Sequence, residues 1–274
     1  MGTQKLRLAL TVATPGALPS AFVVYREPLT ISLPKIADMG YDGVELALLD
    51  RSQVDLPELK RLLSATGLSV PTVSTGQVFA AGRCSFAAGD PATRAKAETL
   101  FSGLIDIAAE LGAMINVGRV RGSVEGNGTR EEVEARVADS LVRMGERAKN
   151  AGVVMVLEPV NRYEIDLLNS CAEAVAFLDC FALDGLRIMP DVFHMNIEDP
   201  SIEGSLLRFS DRLGYVHFAD SNRHYPGAGH LDFSAIISAL RASGYNGWIG
   251  AEILPYPDPD SAARGAVEYL RRYL

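Results

Sequence analysis

Eight short β-rich runs alternate with helical patterns along this chain, and that rhythm limits the possible folds more than any other feature. The runs are LRLALTV (6–12), GVELAL (43–48), SVPTVST (69–75), MINVG (114–118), VVMVLE (153–158), LRIMPD (186–191), YVHFAD (215–220) and WIGAEI (248–253). With a helical pattern after each, the count predicts eight strands and eight helices. Two of the helices are sharply marked. Thr129 and Glu132 have capping-box spacing, Val133, Val137, Leu141 and Met144 recur at helical intervals, and Gly152 closes the segment. Leu100, Leu104, Ile107 and Leu111 line a second helical face ahead of Gly112. The phrases GYDGVEL at 40 and GYNGWIGAEI at 244 nearly repeat, each reading as a turn that feeds a strand ending near Glu45 or Glu252. One repeated βα unit of about 34 residues fits a single (β/α)8 TIM barrel domain over residues 1–274 better than a doubly wound sheet. Neither GxGxxG nor GxxxxGK[ST] occurs, so no nucleotide cofactor is expected.

Composition agrees with this reading. A chain of 274 residues with 48% hydrophobic and 22% charged content can bury a large core. It lacks an apolar run of the roughly 18 residues that a membrane helix needs, so no membrane association is expected. The start, MGTQKLRLALTVATPGA, imitates a secretory leader, but its short apolar run reads as a first barrel strand and a cytoplasmic protein is expected. Cys84, Cys171 and Cys180 are odd in number and lack CxxC spacing, as for reduced thiols. A net charge of −8 with no basic run argues against nucleic acid as a partner.

Polar residues recur where the later strands end. Glu158 closes the fifth run, Asp191 the sixth, His217 lies in the seventh and Glu252 in the eighth, about one βα unit apart. Parallel barrel strands share one C-terminal rim, so four successive strands deliver three carboxylates and an imidazole to the same mouth. Without a cation such carboxylates would repel and raise one another's pKa values. This mostly hard donor set suits a divalent metal, Mn²⁺ first, with Mg²⁺, Co²⁺ or Zn²⁺ also compatible. Each residue alone has a plainer reading: Asp191 as a helix cap, His217 as a core histidine, the glutamates as loop residues. Their joint placement favours the shared site. Glu45 has the same rim position on the second run and is weighed as a substrate contact. All four histidines fall between 194 and 230, and Arg223 in the loop SNRHYPGAGHLDF is a plausible clamp for substrate oxygens, whereas His224 and His230 read as loop structure.

The segments LEPVNRYEID, DVFHMNIED, HFADSNRHYPGAGHLDF and GYNGWIGAEI resemble the xylose-isomerase-like sugar isomerase/epimerase barrels. Within them the similarity is to the ketose 3-epimerases (D-tagatose and D-psicose 3-epimerases) and the 5-keto-L-gluconate epimerases. The resemblance spans the chain, with its specific part in the second half. It implies that Glu158, Asp191, His217 and Glu252 hold the metal, that Glu158 and Glu252 also form the acid/base pair, and that Glu164, His194 and Arg223 hold substrate oxygens. It further implies a small sugar or sugar-acid substrate and a homo-oligomer, a dimer or tetramer.

Such a site would epimerise a ketose or keto sugar acid by removing and returning a proton beside the ketone through a cis-enediolate. In NVGRVRG, which carries Arg119 and Arg121, the VRG portion looks more like the keto-gluconate enzymes, and Arg121 is assigned to a substrate carboxylate, with a solvated loop arginine as its plainer reading. An aldose-ketose or hydroxypyruvate-type isomerase, or an inosose dehydratase, would use the same residues. An endonuclease of this barrel type would need early-strand histidines, and none precedes residue 194. A non-catalytic sugar-binding barrel is the alternative from another class.

Overall fold

The computed structural model describes residues 6–274, so the first residues of the leader-like segment lie outside the described part. Nine strands occur among the described residues: β1 Arg7–Ala13, β2 Tyr25–Arg26, β3 Gly43–Ala47, β4 Thr72–Ser74, β5 Met114–Val117, β6 Met155–Leu157, β7 Arg187–Ile188, β8 Val216–Phe218 and β9 Trp248–Ala251. All pairings are parallel, in the order β7-β6-β5-β4-β3-β1-β9-β8, with β2 laid against β1. Two isolated parallel bridges, Ile188 to Leu213 and Asp191 to His217, join β7 to β8 and close the eight-stranded barrel. The second of these bridges links two of the expected metal ligands through their backbones.

All eight predicted strands are present, each shorter than its apolar run. Residues 8–13 of β1 are buried without alternation, as for a strand covered on both faces. Outside the barrel lie α1 Leu29–Asp38, α2 Leu56–Thr66, α3 Gly76–Ala80, α4 Pro91–Leu111, α5 Arg130–Asn150, α6 Cys171–Cys180, α7 Val192–Glu198, α8 Ile202–Arg208, α9 Phe233–Ala242 and α10 Pro259–Leu270. The described residues thus hold ten helices where eight were predicted. The additional short helices α3 and α7 sit in rim loops, where helical periodicity is too brief to register.

Local chemistry sets the helix ends as expected. Thr129 and Glu132 form both halves of the capping box, and Gly112 ends α4 in the left-handed conformation. The buried face of α4 is centred on Phe101, Leu104, Ile105 and Ala108, with Leu100 and Leu111 only partly covered.

Period-two alternation builds the barrel interior in layers. Ala9, Val156, Met189, Tyr215 and Trp248 form an apolar plug at the bottom. Two residues further along their strands come Thr11, Glu158, His217 and Gly250, and Glu252 follows at the rim. The interior therefore passes from apolar to polar toward the C-terminal mouth.

Candidate active site

Glu158, Asp191, His217 and Glu252 converge at that mouth, each offering one ligand atom within 4.8 Å of the others. Asp191 ends the β7 segment and opens α7. Its Oδ1 accepts the Phe193 N–H at 2.9 Å, while Oδ2 accepts from Arg223 Nη1 at 2.7 Å. The helix-cap and cluster readings of this residue therefore hold together, one on each oxygen.

His217 is oriented from behind. Its Nε2 lies 2.7 Å from Glu45 Oε2, and both residues are fully buried. Glu45 is inside β3 and not at its end, so it meets the imidazole and does not line the open chamber at the mouth where a substrate contact was expected. Donation from Nε2 to Glu45 leaves Nδ1 as the free ring nitrogen. That atom is buried with no hydrogen-bond partner and faces Glu158 Oε1 at 3.5 Å and Glu252 Oε2 at 3.8 Å. An orphaned nitrogen among carboxylate oxygens is a donor set that fits a divalent cation.

Electrostatics point the same way. Burial, opposed by Arg223 and His217 but reinforced by Glu158 and Asp191, pushes the Glu252 carboxyl up to about 8. Burial also works against ionisation of Glu158, yet the adjacent His217 imidazole, with attraction from His194, holds it below the ordinary carboxylate range. Asp191 is lowered too, burial being outweighed by Arg223 and the histidines. For His217 burial acts downward, but Glu45 and Glu252 hold the ring protonated well above the usual histidine range. A proton and a cation would thus compete for the Nδ1 lone pair.

Two glycines make room for the cluster. A Cβ on Gly118 would lie 2.6 Å from Glu158 Oε2, and one on Gly250 would lie 2.5 Å from Tyr215 Oη and 2.9 Å from His217 Cδ2. Asn116, a polar residue within β5, donates to Glu158 Oε2 at 3.0 Å and accepts from the Thr75 N–H at 3.2 Å. The Asn stands out within the run MINVG, a signal that sequence reading passed over.

The remaining predicted residues separate clearly. His194 is buried, with Nε2 3.7 Å from Asp191 Oδ2 and 4.0 Å from Glu158 Oε1. Asn161 Oδ1 accepts the Tyr163 N–H, so its Nδ2 donates to His194 Nδ1 at 2.7 Å and directs the ring's remaining N–H toward the chamber. Burial holds His194 below the usual histidine range, consistent with a neutral ring. Asn161 was missed, although it lies between the flagged Glu158 and Glu164. Arg223 adopts a left-handed backbone, φ 62°, and its guanidinium bridges Asp191 and Glu252 between the rings of Phe22 and Phe193, each 4.6 Å away. Glu164 reaches the chamber and is 3.6 Å from Arg119.

Arg121 does not reach it. The side chain is fully buried, and its Nε, Nη1 and Nη2 donate to the carbonyls of Leu167, Gly118, Glu158 and Leu168. Arg121 ties together two rim loops, which corrects its assignment to a substrate carboxylate. Glu198, unassigned from sequence, receives the Arg162 backbone and guanidinium groups and fastens the same region to α7. His224 stacks on Tyr256, and His230 pairs with Ser221 Oγ at 2.9 Å, both loop contacts.

Residues 33–273 match the family model described as the xylose isomerase-like TIM barrel. The chain belongs to this family. Among its relatives is an L-ribulose 3-epimerase from Methylomonas sp. (strain DH-1), 35% identical over 79% of this chain and 75% of that one. A D-psicose 3-epimerase from Enterocloster bolteae is 31% identical over 87% of this chain and 88% of that one. The solved structure of a 3-keto-D-glucoside 4-epimerase from E. coli superposes with a TM-score of 0.83, at 27% identity over 98% of this chain and 100% of that one. These xylose isomerase-like relatives are named epimerases, which are isomerases of sugars. No helix among the described residues is long and apolar enough to cross a membrane.

Proposed function

We propose that this chain is a divalent-metal-dependent epimerase that inverts the carbon beside the ketone of a ketose or keto sugar acid, with Glu158 and Glu252 as its acid/base pair. The observation that carries this reading is the meeting of these two carboxyl groups over one chamber that His194, Arg223 and Glu164 also line. They arrive from strands separated by two others, which suits groups that must act on opposite faces of one carbon. The named relatives agree in type, because in each the inverted centre is next to a ketone.

When bound by Glu158, Asp191, His217 and Glu252, a divalent ion supplies Lewis-acid stabilisation for the negative charge that develops on the ketone oxygen. We place Mn²⁺ there on the strength of three oxygen donors and one nitrogen. The chain's own groups do the rest. Asn116 holds Glu158 and Arg223 holds Glu252, so each carboxyl group is oriented before substrate arrives. One removes the proton to give the cis-enediolate and the other returns a proton from the opposite side; exchanging roles runs the reaction backward. His194 presents its N–H to a substrate oxygen, Glu164 accepts from a hydroxyl, and Phe22 and Phe193 exclude water around Arg223. The reading includes a cytoplasmic homo-oligomer, dimer or tetramer.

The test is incubation of the Mn²⁺-loaded protein in D₂O with ketohexoses and keto-hexonates, followed by NMR. Deuterium beside the ketone together with an epimer is the expected result. Deuterium with an aldose as product would mean an isomerase, and full exchange in both Glu158→Gln and Glu252→Gln would remove the two-base mechanism.

A further inference from the structure

We propose that Arg119 is the residue that sets substrate class: it pairs with a carboxylate at the end of the substrate remote from the ketone, so that keto sugar acids are preferred over neutral ketoses. The inference rests on the epimerase reading of the same site.

Two adjoining chambers of about 30 Å³ each make up the mouth, and both are lined by Phe22, Ser74, Gly76, Arg119 and Glu252. The inner one holds Glu158, His194 and Arg223. The outer one continues past Glu252 to Leu18, Ala21, Val23, Ala47 and Ala80, with Ser74, Gln77 and Arg119 as its other polar groups. A sugar whose reacting carbon lies between Glu158 and Glu252 extends its far end into this outer chamber.

Among the described residues, Arg119 and Arg223 are the cationic side chains that line these chambers, and they differ in how far they are already engaged. Arg223 is committed to Asp191 and Glu252. Arg119 rests over Phe22 at 5.8 Å and has Glu164 at 3.6 Å, beyond hydrogen-bond length, as its acidic neighbour. Its guanidinium lines both chambers, with Glu164 on the inner side, and most of its donor fork is unspent. A guanidinium has five N–H donors and no acceptor. Sugar hydroxyls need acceptors as well as donors, whereas a carboxylate only accepts and matches the fork in two parallel bonds. A phosphate would satisfy the same charge, but its three oxygens and larger volume ask for more donors than one arginine among apolar residues provides.

Calorimetric binding of three non-reacting probes tests this on the Mn²⁺-loaded protein: a hexonate, the corresponding hexitol and the hexitol 6-phosphate. The hexonate is expected to bind about 10- to 100-fold more tightly than the hexitol, as for a charge-assisted pair, and more tightly than the phosphate. In Arg119→Gln that preference collapses. In Arg119→Lys, which keeps the charge but loses the fork, only part of it survives, and this variant serves if the Gln variant does not fold. Absence of hexonate preference in the wild type, a preference for the phosphate, or full preference retained in Arg119→Gln would each overturn the assignment. The epimerase reading fails separately: no deuterium enters any keto sugar, while the hexonate preference and its dependence on Arg119 remain measurable.

Discussion

Replacing Glu45 tests whether the cluster's imidazole is set from behind. Glu45 is fully buried, its Oε2 lies 2.7 Å from His217 Nε2, and its Oε1 has no hydrogen-bond partner. Glu45→Gln keeps the volume but removes the charge that makes the imidazole a stronger donor to a cation. The loss of such an outer partner weakens metal affinity by about 10- to 100-fold. Glu45→Ala in addition strands a buried N–H, which costs about 1–3 kcal/mol of fold stability. Mn²⁺ affinity is measured by calorimetry or chelator competition on stripped protein, with circular dichroism to confirm folding. A second readout is thermal: ion at 100 times its Kd adds about 2.7 kcal/mol, and Glu45→Gln loses about 1.3 to 2.3 kcal/mol of that increment at the same concentration. Wild-type affinity within twofold in both variants would show that β8 packing alone orients the ring, and the positioning argument would be wrong.

Four further outcomes follow from contacts already described. Gly118→Ala meets the carboxylate of Glu158 at 2.6 Å and the amide of its partner Asn116 at 3.4 Å, both side-chain ends and not backbone, so turnover is expected to fall about 100-fold, the cost of a misplaced catalytic group, with a smaller effect on melting. Gly250→Ala meets Tyr215 and His217 inside the barrel and is expected to lose about 1–3 kcal/mol, read as a drop in melting temperature of roughly 2–4 °C for each kcal/mol. Arg121→Met leaves the carbonyls it binds without their donor and is expected to destabilise by about 3 kcal/mol or more in denaturant titration; wild-type stability would contradict its structural role. With a chromogenic disulfide reagent, one thiol per chain, that of exposed Cys180, reacts quickly, whereas Cys84 and Cys171, buried and with thiols pushed up by burial, react only on unfolding.

How much of this was legible from sequence depends on how far each signal is from being local. Barrel strands are covered on both faces, so they read as apolar runs, and a polar residue ending such a run is conspicuous. Glu158, Asp191 and Glu252 were visible for that reason, and their common rim follows from parallel topology. Glu45 shows where the same logic fails. The near-repeat places it two residues after Gly43 but Glu252 five after Gly247, so the shared phrase aligns the turns and not the glutamates. One layer of difference converts a rim position into a buried partner of His217.

The arginine pair fails for another reason. In an extended segment residues two apart share a face, and Arg119 and Arg121 would have been interchangeable. Arg119–Arg121 instead forms a 3₁₀ turn, where three residues complete a revolution, so the two guanidinium groups diverge. One is consumed by backbone carbonyls and the other stands in the chamber. Phe22 had no signal at all, since a single aromatic in a loop acquires meaning only from the arginines that chain closure brings to its ring. The carboxylate cluster is thus written in strand ends, while the conformation of one loop, a single 3₁₀ turn, fixes which of the two arginines reaches the chamber.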